Sequence, residues 1–343
     1  MKNNNYLKIS IIYFISLIAV AIIFTLSSFG FLINDYLSTF LIQIVVMFGV
    51  PMLLYTALVS KNFKQTFKDA GFKKISGRMI IITIFLGLVL YIINSFVANF
   101  FQSVISILGY ENLFKSTVEL NNTFLLKEFF LSCLLPGICE EFLHRGLLLF
   151  AGKKVQNTRY CLIISSILFG LTHLNIMQFF YASILGILIG IVGIVSNSIF
   201  PCMIIHFMNN FLNTYFAYGK YYNLPIATIV DNILTVISSN IMLYVILSSL
   251  IAIIAIYAYK YLVKMLKKER SVYNIKQIIK DYQKGKINIE DSQYAIDKIL
   301  DNVKINELYL DGNKPNFQNR FVVISSICLG AMITICSFIW GIL

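Results

Sequence analysis

Residues 61–108 read "KNFKQTFKDAGFKKISGR" followed by "MIIITIFLGLVLYIINSFVANFFQSVISIL". The first part, 61–78, carries six basic residues and one acidic residue, and the second part, 79–108, carries no charge. About 20 apolar residues are enough for a helix to cross the hydrocarbon core of a bilayer. Lys and Arg collect in the cytoplasmic loops of membrane proteins. This stretch therefore predicts a transmembrane helix that begins at a cytoplasmic loop.

The whole chain follows the same pattern. It has 343 residues, of which 58% are hydrophobic and 13% charged, and a mean hydropathy of +0.78. This composition excludes a soluble domain and predicts an all-α polytopic transmembrane helical bundle of about 8–9 spans, with a short helical cytoplasmic segment near the C-terminus. The candidate spans are 9–33, 37–59, 79–108, 124–151, 161–178, 179–200, 201–218, 233–263 and 321–343.

The net charge of +12 is spread over short basic stretches between the apolar runs, which indicates a lipid bilayer and no nucleic acid as partner. With the N-terminus in the cytoplasm, the basic stretches 61–78, 152–159 and 264–320 all fall on the cytoplasmic side. We therefore expect an integral membrane protein, and the abundance of Asn, Ile and Lys favours a prokaryotic cell membrane. The six cysteines lie in apolar runs without a CxxC pair, so we expect neither a disulfide framework nor a thiolate zinc site.

Five regions follow from the spans and loops. They are N-terminal transmembrane helices (1–108), a transmembrane core (124–218), an eighth span (219–263), a cytoplasmic basic helical segment (264–320) and a C-terminal transmembrane helix (321–343). In the basic segment, "KQIIKDYQKGKINIEDSQYAIDKIL" predicts two amphipathic helices, with Asn288 as the N-cap of the second and Asp291 in its first turn. This segment is either a solvated tether or a docking site for a protein partner.

Two features of the core stand out. The small residues Gly186, Gly190 and Gly193 form a face that allows close helix contact, either with another span of this chain or with a second copy. The stretch "CEEFLHRGLLLF", residues 139–150, places four ionisable residues in a predicted span. A charge at the bilayer centre costs about 2.5–3.5 kcal/mol, so such side chains normally face a protein or water-filled interior.

Helix geometry divides the charged cluster. Glu141 and Arg145 are four residues apart on one face and should form an ion pair. Glu140 lies about 100° around the helix and shares its face with His144. This arrangement leaves the Glu140 carboxylate available for chemistry, whereas His144 fits a packing role.

The other two histidines are also in predicted spans. His173 ends "FGLTH", and His206 precedes Asn210 by one helical turn. A single buried histidine is usually a core residue. A carboxylate, two histidines and an asparagine on three spans indicate instead a convergent site.

Together these residues resemble the three motifs of the CPBP family. The motifs are Glu140-Glu141-xxx-Arg145, Phe169-xxx-His173 and His206-xxx-Asn210. This family comprises the CAAX proteases and bacteriocin-processing enzymes, often called Abi proteins, which are relatives of the Ras-converting endopeptidase. The resemblance covers about 125–216. His144 departs from it, because the family usually has an aromatic residue at this position.

The resemblance implies an intramembrane endopeptidase that hydrolyses a peptide bond in a membrane-associated or hydrophobic peptide or a lipidated protein. In this family pattern Glu140 and His173 activate water, and His206 and Asn210 stabilise the oxyanion. Glu141 and Arg145 support the helix. From the positions of Glu140 and His206 along their spans, we expect the cavity to open to the cytoplasm or the inner leaflet.

Several alternatives stay open. Glu140, His173 and His206 are candidate ligands for a metal, zinc being the one that three such ligands would suit, but HExxH is absent, so both a glutamate-type and a metal-dependent peptidase are considered. A non-proteolytic protein of the same fold would act as an immunity factor or as a scaffold for a sensor kinase. A secondary transporter is less favoured, because the sequence shows no inverted repeats.

Overall fold

A computed structural model describes residues 3–29, 35–110, 124–219, 221–304 and 317–342. These residues form twelve helices and no strand, which confirms the predicted all-α class. In chain order the helices are α1 (Asn3–Ser28), α2 (35–60), α3 (Phe63–Asp69), α4 (Gly77–Ile107), α5 (124–154), α6 (Thr158–Leu171), α7 (Ile176–Ser196), α8 (Phe200–Gly219), α9 (Pro225–Ser238), α10 (Ile241–Gln283), α11 (Ile289–Lys304) and α12 (Phe317–Ile342).

Within the described ranges, six helices are long and apolar enough to cross a membrane. These are α1, α2, α4, α7, α10 and α12. The three other predicted spans are also helical, as α5, α6 and α8, but α5 contains the charged cluster and α6 has only 14 residues. A helical membrane bundle is confirmed, and the number of crossings stays a prediction.

Two predicted boundaries differ from the structure because asparagine side chains start new helices. Asn175 accepts hydrogen bonds from the backbone N–H groups of Met177 and Gln178, so α7 begins inside the predicted span 161–178. Asn240 caps α10 in the same way, inside the predicted span 233–263. The helix that follows Asn240 continues to Gln283, so no boundary separates the eighth span from the basic segment at residue 263.

Residues 284–304 of the basic segment follow the sequence-based expectation, and residues 305–316 lie outside the described residues. The stretch around Gly285 separates α10 from α11. Asn288 accepts a hydrogen bond from the backbone N–H of Asp291 at 2.7 Å, and the first turn of α11 is acidic, which confirms the predicted cap. The first helix of the predicted pair is the extension of α10.

The basic loops meet at one end of the bundle, which we call the basic end (61–78, 152–159, 197–199 and the end of α10). Ile199 donates its backbone N–H to the carbonyl of Gly71 at 2.9 Å, which joins the loop before α8 to the loop before α4. Side chains connect the rest: Lys8 to Leu58, Lys73 to Asn197, Lys154 to Asp69, and Arg270 to Lys74. The opposite end therefore contains the ends of α1, α4 and α8.

The glycine face of α7 packs against other helices of the same chain, which was one of the two predicted alternatives. A Cβ atom at Gly186 would lie 3.1 Å from the Cβ of Ser166 on α6, and one at Gly193 would lie 2.7 Å from the Sγ of Cys202 on α8. Helices α6 and α8 therefore lie close to α7, which brings His173, two residues after the end of α6, near His206 on α8.

Candidate active site

Helix α5 changes its winding around the two glutamates. It is α-helical over Leu135–Glu141 and π-helical over Phe142–Ala151. Pro136 has no N–H group, so it cannot donate to the carbonyl of Ser132 four residues earlier. The side chain of Asn210 on α8 donates to that carbonyl instead, at 3.0 Å. This bond holds Asn210 against the π-helical turn Phe129–Leu134 of α5, just before Pro136.

Glu141 is the centre of a buried charge network. Its Oε1 accepts hydrogen bonds from Nη1 of Arg145 and from Nδ1 of His206, both at 2.8 Å, and all three side chains are almost or fully buried. The predicted ion pair with Arg145 is confirmed. The guanidinium carbon of Arg145 also lies 4.3 Å from the centre of the Phe169 ring, a cation–π contact. The pairing of Glu141 with His206 was not expected from the sequence.

Glu140 faces open space. Its Oε1 accepts a hydrogen bond from Nε2 of Gln43 at 2.7 Å, and its Oε2 lies 4.0 Å from Nε2 of His206. Sequence reasoning missed Gln43. Its signal was present, because it is the one polar side chain in the run 40–54.

The aromatic ring of Phe169 is in contact with all three histidines. Ring centres of His144, His173 and His206 lie 5.1, 5.2 and 5.5 Å from it. Nδ1 of His173 contacts the backbone carbonyl of Phe169 at 2.9 Å, which leaves Nε2 as the second ring nitrogen. His144 is fully buried against Tyr13, and its Nδ1 contacts the Glu140 carbonyl at 2.8 Å. Phe169 thus sets the relative positions of the three histidines.

A chain of carboxamides continues the site towards α4. Nδ2 of Asn94 donates to Oδ1 of Asn209 at 3.1 Å, and Nδ2 of Asn209 donates to Oδ1 of Asn210 at 3.3 Å. Asn210 then donates to Ser132, as described above. These bonds fix the orientation of Asn210.

A cavity of about 1140 Å³ connects these groups. Glu140, His173, His206 and Asn210 all line it, so the four predicted catalytic residues meet at one space. Glu141 and Arg145 lie behind this wall and are fully buried.

The cavity extends away from the basic end. Its lining includes the end of α1, the start of α2, the second halves of α4 and α8 and the first half of α5. Towards the basic end, Phe150, Ile199 and Met203 form a buried apolar cluster with Phe72. Apolar side chains therefore fill the half of the bundle next to the basic end, and the cavity lies in the other half. The expected opening to the cytoplasm or the inner leaflet stays a prediction.

The described residues do not fit a three-ligand metal centre. No group of three His, Cys, Asp or Glu side chains in those ranges is placed to hold an ion. We therefore assign no reaction step to a metal.

Comparison with known families agrees with the site. Residues 122–212 match the family model described as type II CAAX prenyl endopeptidase Rce1-like. The resemblance to the CAAX-protease family is confirmed for this core segment. The match contains all six predicted site residues and points to a protease in the membrane. Neither the curated proteins nor the solved structures contain a match to this chain.

Proposed function

We propose that this protein is an intramembrane endopeptidase that hydrolyses a peptide bond in a membrane-associated or hydrophobic peptide. The observation that carries this proposal is the meeting of Glu140, His173, His206 and Asn210 at one cavity, within the segment that matches a CAAX-endopeptidase family. We assign the reaction to the glutamate type, in which side chains activate the water directly.

Glu140 and His173 have the atoms needed to activate water. When Nδ1 of His173 carries the proton that it gives to the Phe169 carbonyl, Nε2 is an acceptor. One water in the cavity then donates one O–H to this nitrogen and the other to the Glu140 carboxylate. Gln43 donates to Oε1 of Glu140, which orients Oε2 of Glu140 towards the cavity. Glu140 takes the proton as the water attacks the carbonyl carbon of the peptide.

His206 and Asn210 supply donors for the oxyanion that this attack creates. Because Nδ1 of His206 donates to Glu141, its Nε2 donates to the oxyanion when both ring nitrogens carry a proton. Asn210 uses one N–H on Ser132 and has a second for the oxyanion. Removing one such donor typically costs about 10²–10³ in turnover.

The orientation of the cavity bears on the route of the substrate. With the N-terminus in the cytoplasm of a prokaryotic cell, the basic end is cytoplasmic and the cavity extends to the external side. We therefore propose that the substrate enters from the external half of the membrane. The hairpin of α10 and α11 then remains in the cytoplasm, where it is available to a protein partner.

The decisive experiment compares the membrane peptides that accumulate in cells lacking this protein with those in wild type. Wild-type protein should clear these peptides, and Glu140→Gln should not, although it should reach the same expression level and thermal midpoint. Glu290→Gln, on the exposed surface of α11, is the matched control and should behave as wild type. Clearance by Glu140→Gln would disprove the peptidase assignment and favour a scaffold or a transporter.

The glutamate-type assignment has its own test. Purified protein should keep its peptidase activity after dialysis against a strong chelator and should contain much less than one zinc per chain. Activity that is lost with the chelator and restored by zinc would show that the reaction is metal-dependent.

A further inference from the structure

Carboxamides dominate the polar part of the cavity wall. Among the described residues, nine Asn and Gln side chains line the cavity, including Asn99 and Asn213 beyond the asparagine chain. Each carboxamide carries both hydrogen-bond donors and an acceptor. The backbone of an extended peptide likewise presents N–H and C=O groups at a regular spacing, so this wall is complementary to an extended peptide.

The charged side chains that line the cavity within the described ranges are acidic. No Lys or Arg of the described ranges lines the cavity, whereas Glu128 does, near the start of α5. The neighbouring Lys127 lies 4.8 Å over the ring of Tyr36, so its charge is held at that ring. A substrate carboxylate would find no described cation in this cavity, but a substrate cation would find Glu128.

We infer that the cavity binds an extended peptide segment whose lysine or arginine side chain pairs with Glu128. The inference rests on the proposed function, because it places the bond to be cleaved at Glu140. It makes Glu128 a specificity-determining residue at the external half of the cavity and separates the substrates by charge.

The helix sets the spacing. Glu128 precedes Glu140 by twelve residues on α5, which is at most about 18 Å at 1.5 Å per residue, because the π-helical turn Phe129–Leu134 between them rises less per residue. An extended peptide covers this length in about five residues. Since a long basic side chain bridges part of it, the preferred cation should lie about three to five residues from the cleaved bond.

The test uses full-length protein in lipid nanodiscs and synthetic apolar peptides that differ at one position, which is Lys, Gln or Glu. Wild type should cleave the Lys peptide with a kcat/KM about tenfold above that for the Glu peptide. Glu128→Gln should remove the preference, and Glu128→Lys should invert it. Glu290→Lys makes the same charge change on α11 and should keep the wild-type preference. A parallel measurement of peptide binding to Glu140→Gln gives a readout that needs no cleavage.

The outcomes separate the two proposals. Cleavage without a charge preference, or a preference unchanged in both Glu128 variants, would overturn the role of Glu128 and leave the peptidase assignment intact. Charge-selective binding that depends on Glu128, with no cleavage by wild type, would support the binding site and overturn the peptidase. Absence of both binding and cleavage would overturn both.

Discussion

The basic end and the centre of the bundle hold positive charges in different ways. At the basic end, Lys73 and Lys154 are only partly covered by the protein and contact side-chain oxygens of the neighbouring loops. In the centre, Arg145 is fully buried, with a carboxylate at 2.8 Å and an aromatic ring beside it. By the positive-inside rule we expect the first arrangement to set the orientation of the protein and to depend little on any one residue. The second depends on each of its members, because a buried charge without its partner is expensive.

The largest expected effect concerns orientation, which should be all-or-none. In a cysteine-free background, Leu108→Cys at the end of α4 should react with a membrane-impermeant maleimide in intact cells. Lys153→Cys at the basic end should react only after permeabilisation, because the two ends lie on opposite sides. Lys61→Cys is a second probe of the basic end and should match Lys153→Cys. Labelling of Leu108→Cys and Lys153→Cys from the same side would contradict the proposed orientation.

The next effect tests the buried pair. Glu141→Gln leaves the charge of Arg145 uncompensated, so it should lower the free energy of unfolding by about 3–5 kcal/mol, seen as a lower thermal midpoint in detergent. Adding Arg145→Met should restore most of this stability. Activity should stay low in the double variant, since His206 still lacks its carboxylate partner. A wild-type midpoint for Glu141→Gln alone would show that the pair is dispensable.

The fold was predictable wherever a single helix determines the answer. The apolar runs located the spans, and the short-range rule for residues four apart located the Glu141–Arg145 pair. The prediction was wrong at Asn240, where the apolar run continues across a helix boundary that the side chain of Asn240 creates by capping α10. Such a cap can be predicted from the sequence only when the apolar pattern also stops at the capping residue.

The site was predictable as a set of residues but not as a set of contacts. The motifs named Glu140, His173 and His206, yet the bonds from His206 to Glu141 and from Gln43 to Glu140 join residues 65 and 97 positions apart. Such contacts depend on the rotation of each packed helix. The direction of the cavity depends on where large side chains such as Phe150 fill space, which positions along a helix do not reveal.

A smaller effect is expected at Lys73. Removing this one positive charge from the basic end should be tolerated. Lost solvation, and then the charges of Arg270, Lys154 and Lys68, lower the pKa of Lys73 from its usual value of 10.5. The charged form is thus disfavoured in the folded protein, and stability should rise as the pH increases from this lowered pKa towards 10.5. Lys73→Gln should flatten this rise and change stability at pH 7 by less than about 1 kcal/mol, in the stabilising direction.

Thermal unfolding between pH 7 and 10.5 measures this slope. Lys286→Gln is the matched control, because Lys286 lies in the exposed turn before α11 and contacts Asp281 at 3.7 Å. It should leave the slope of wild type unchanged. A clear loss of stability in Lys73→Gln would show that the basic end is as sensitive to single charges as the centre.

The smallest effect is expected at His144, which lies beside the charged network without joining it. His144 is packed between the rings of Tyr13 and Phe169, and its Nε2 is buried with no partner among the described residues. In His144→Phe, the lost contact with the Glu140 carbonyl is offset by removal of that unsatisfied nitrogen, so stability should change by less than about 1 kcal/mol. Peptide cleavage should stay within about twofold of wild type, since the cavity wall is untouched. Measured next to Glu140→Gln, loss of activity in His144→Phe would place His144 in the reaction and require the base to be reassigned.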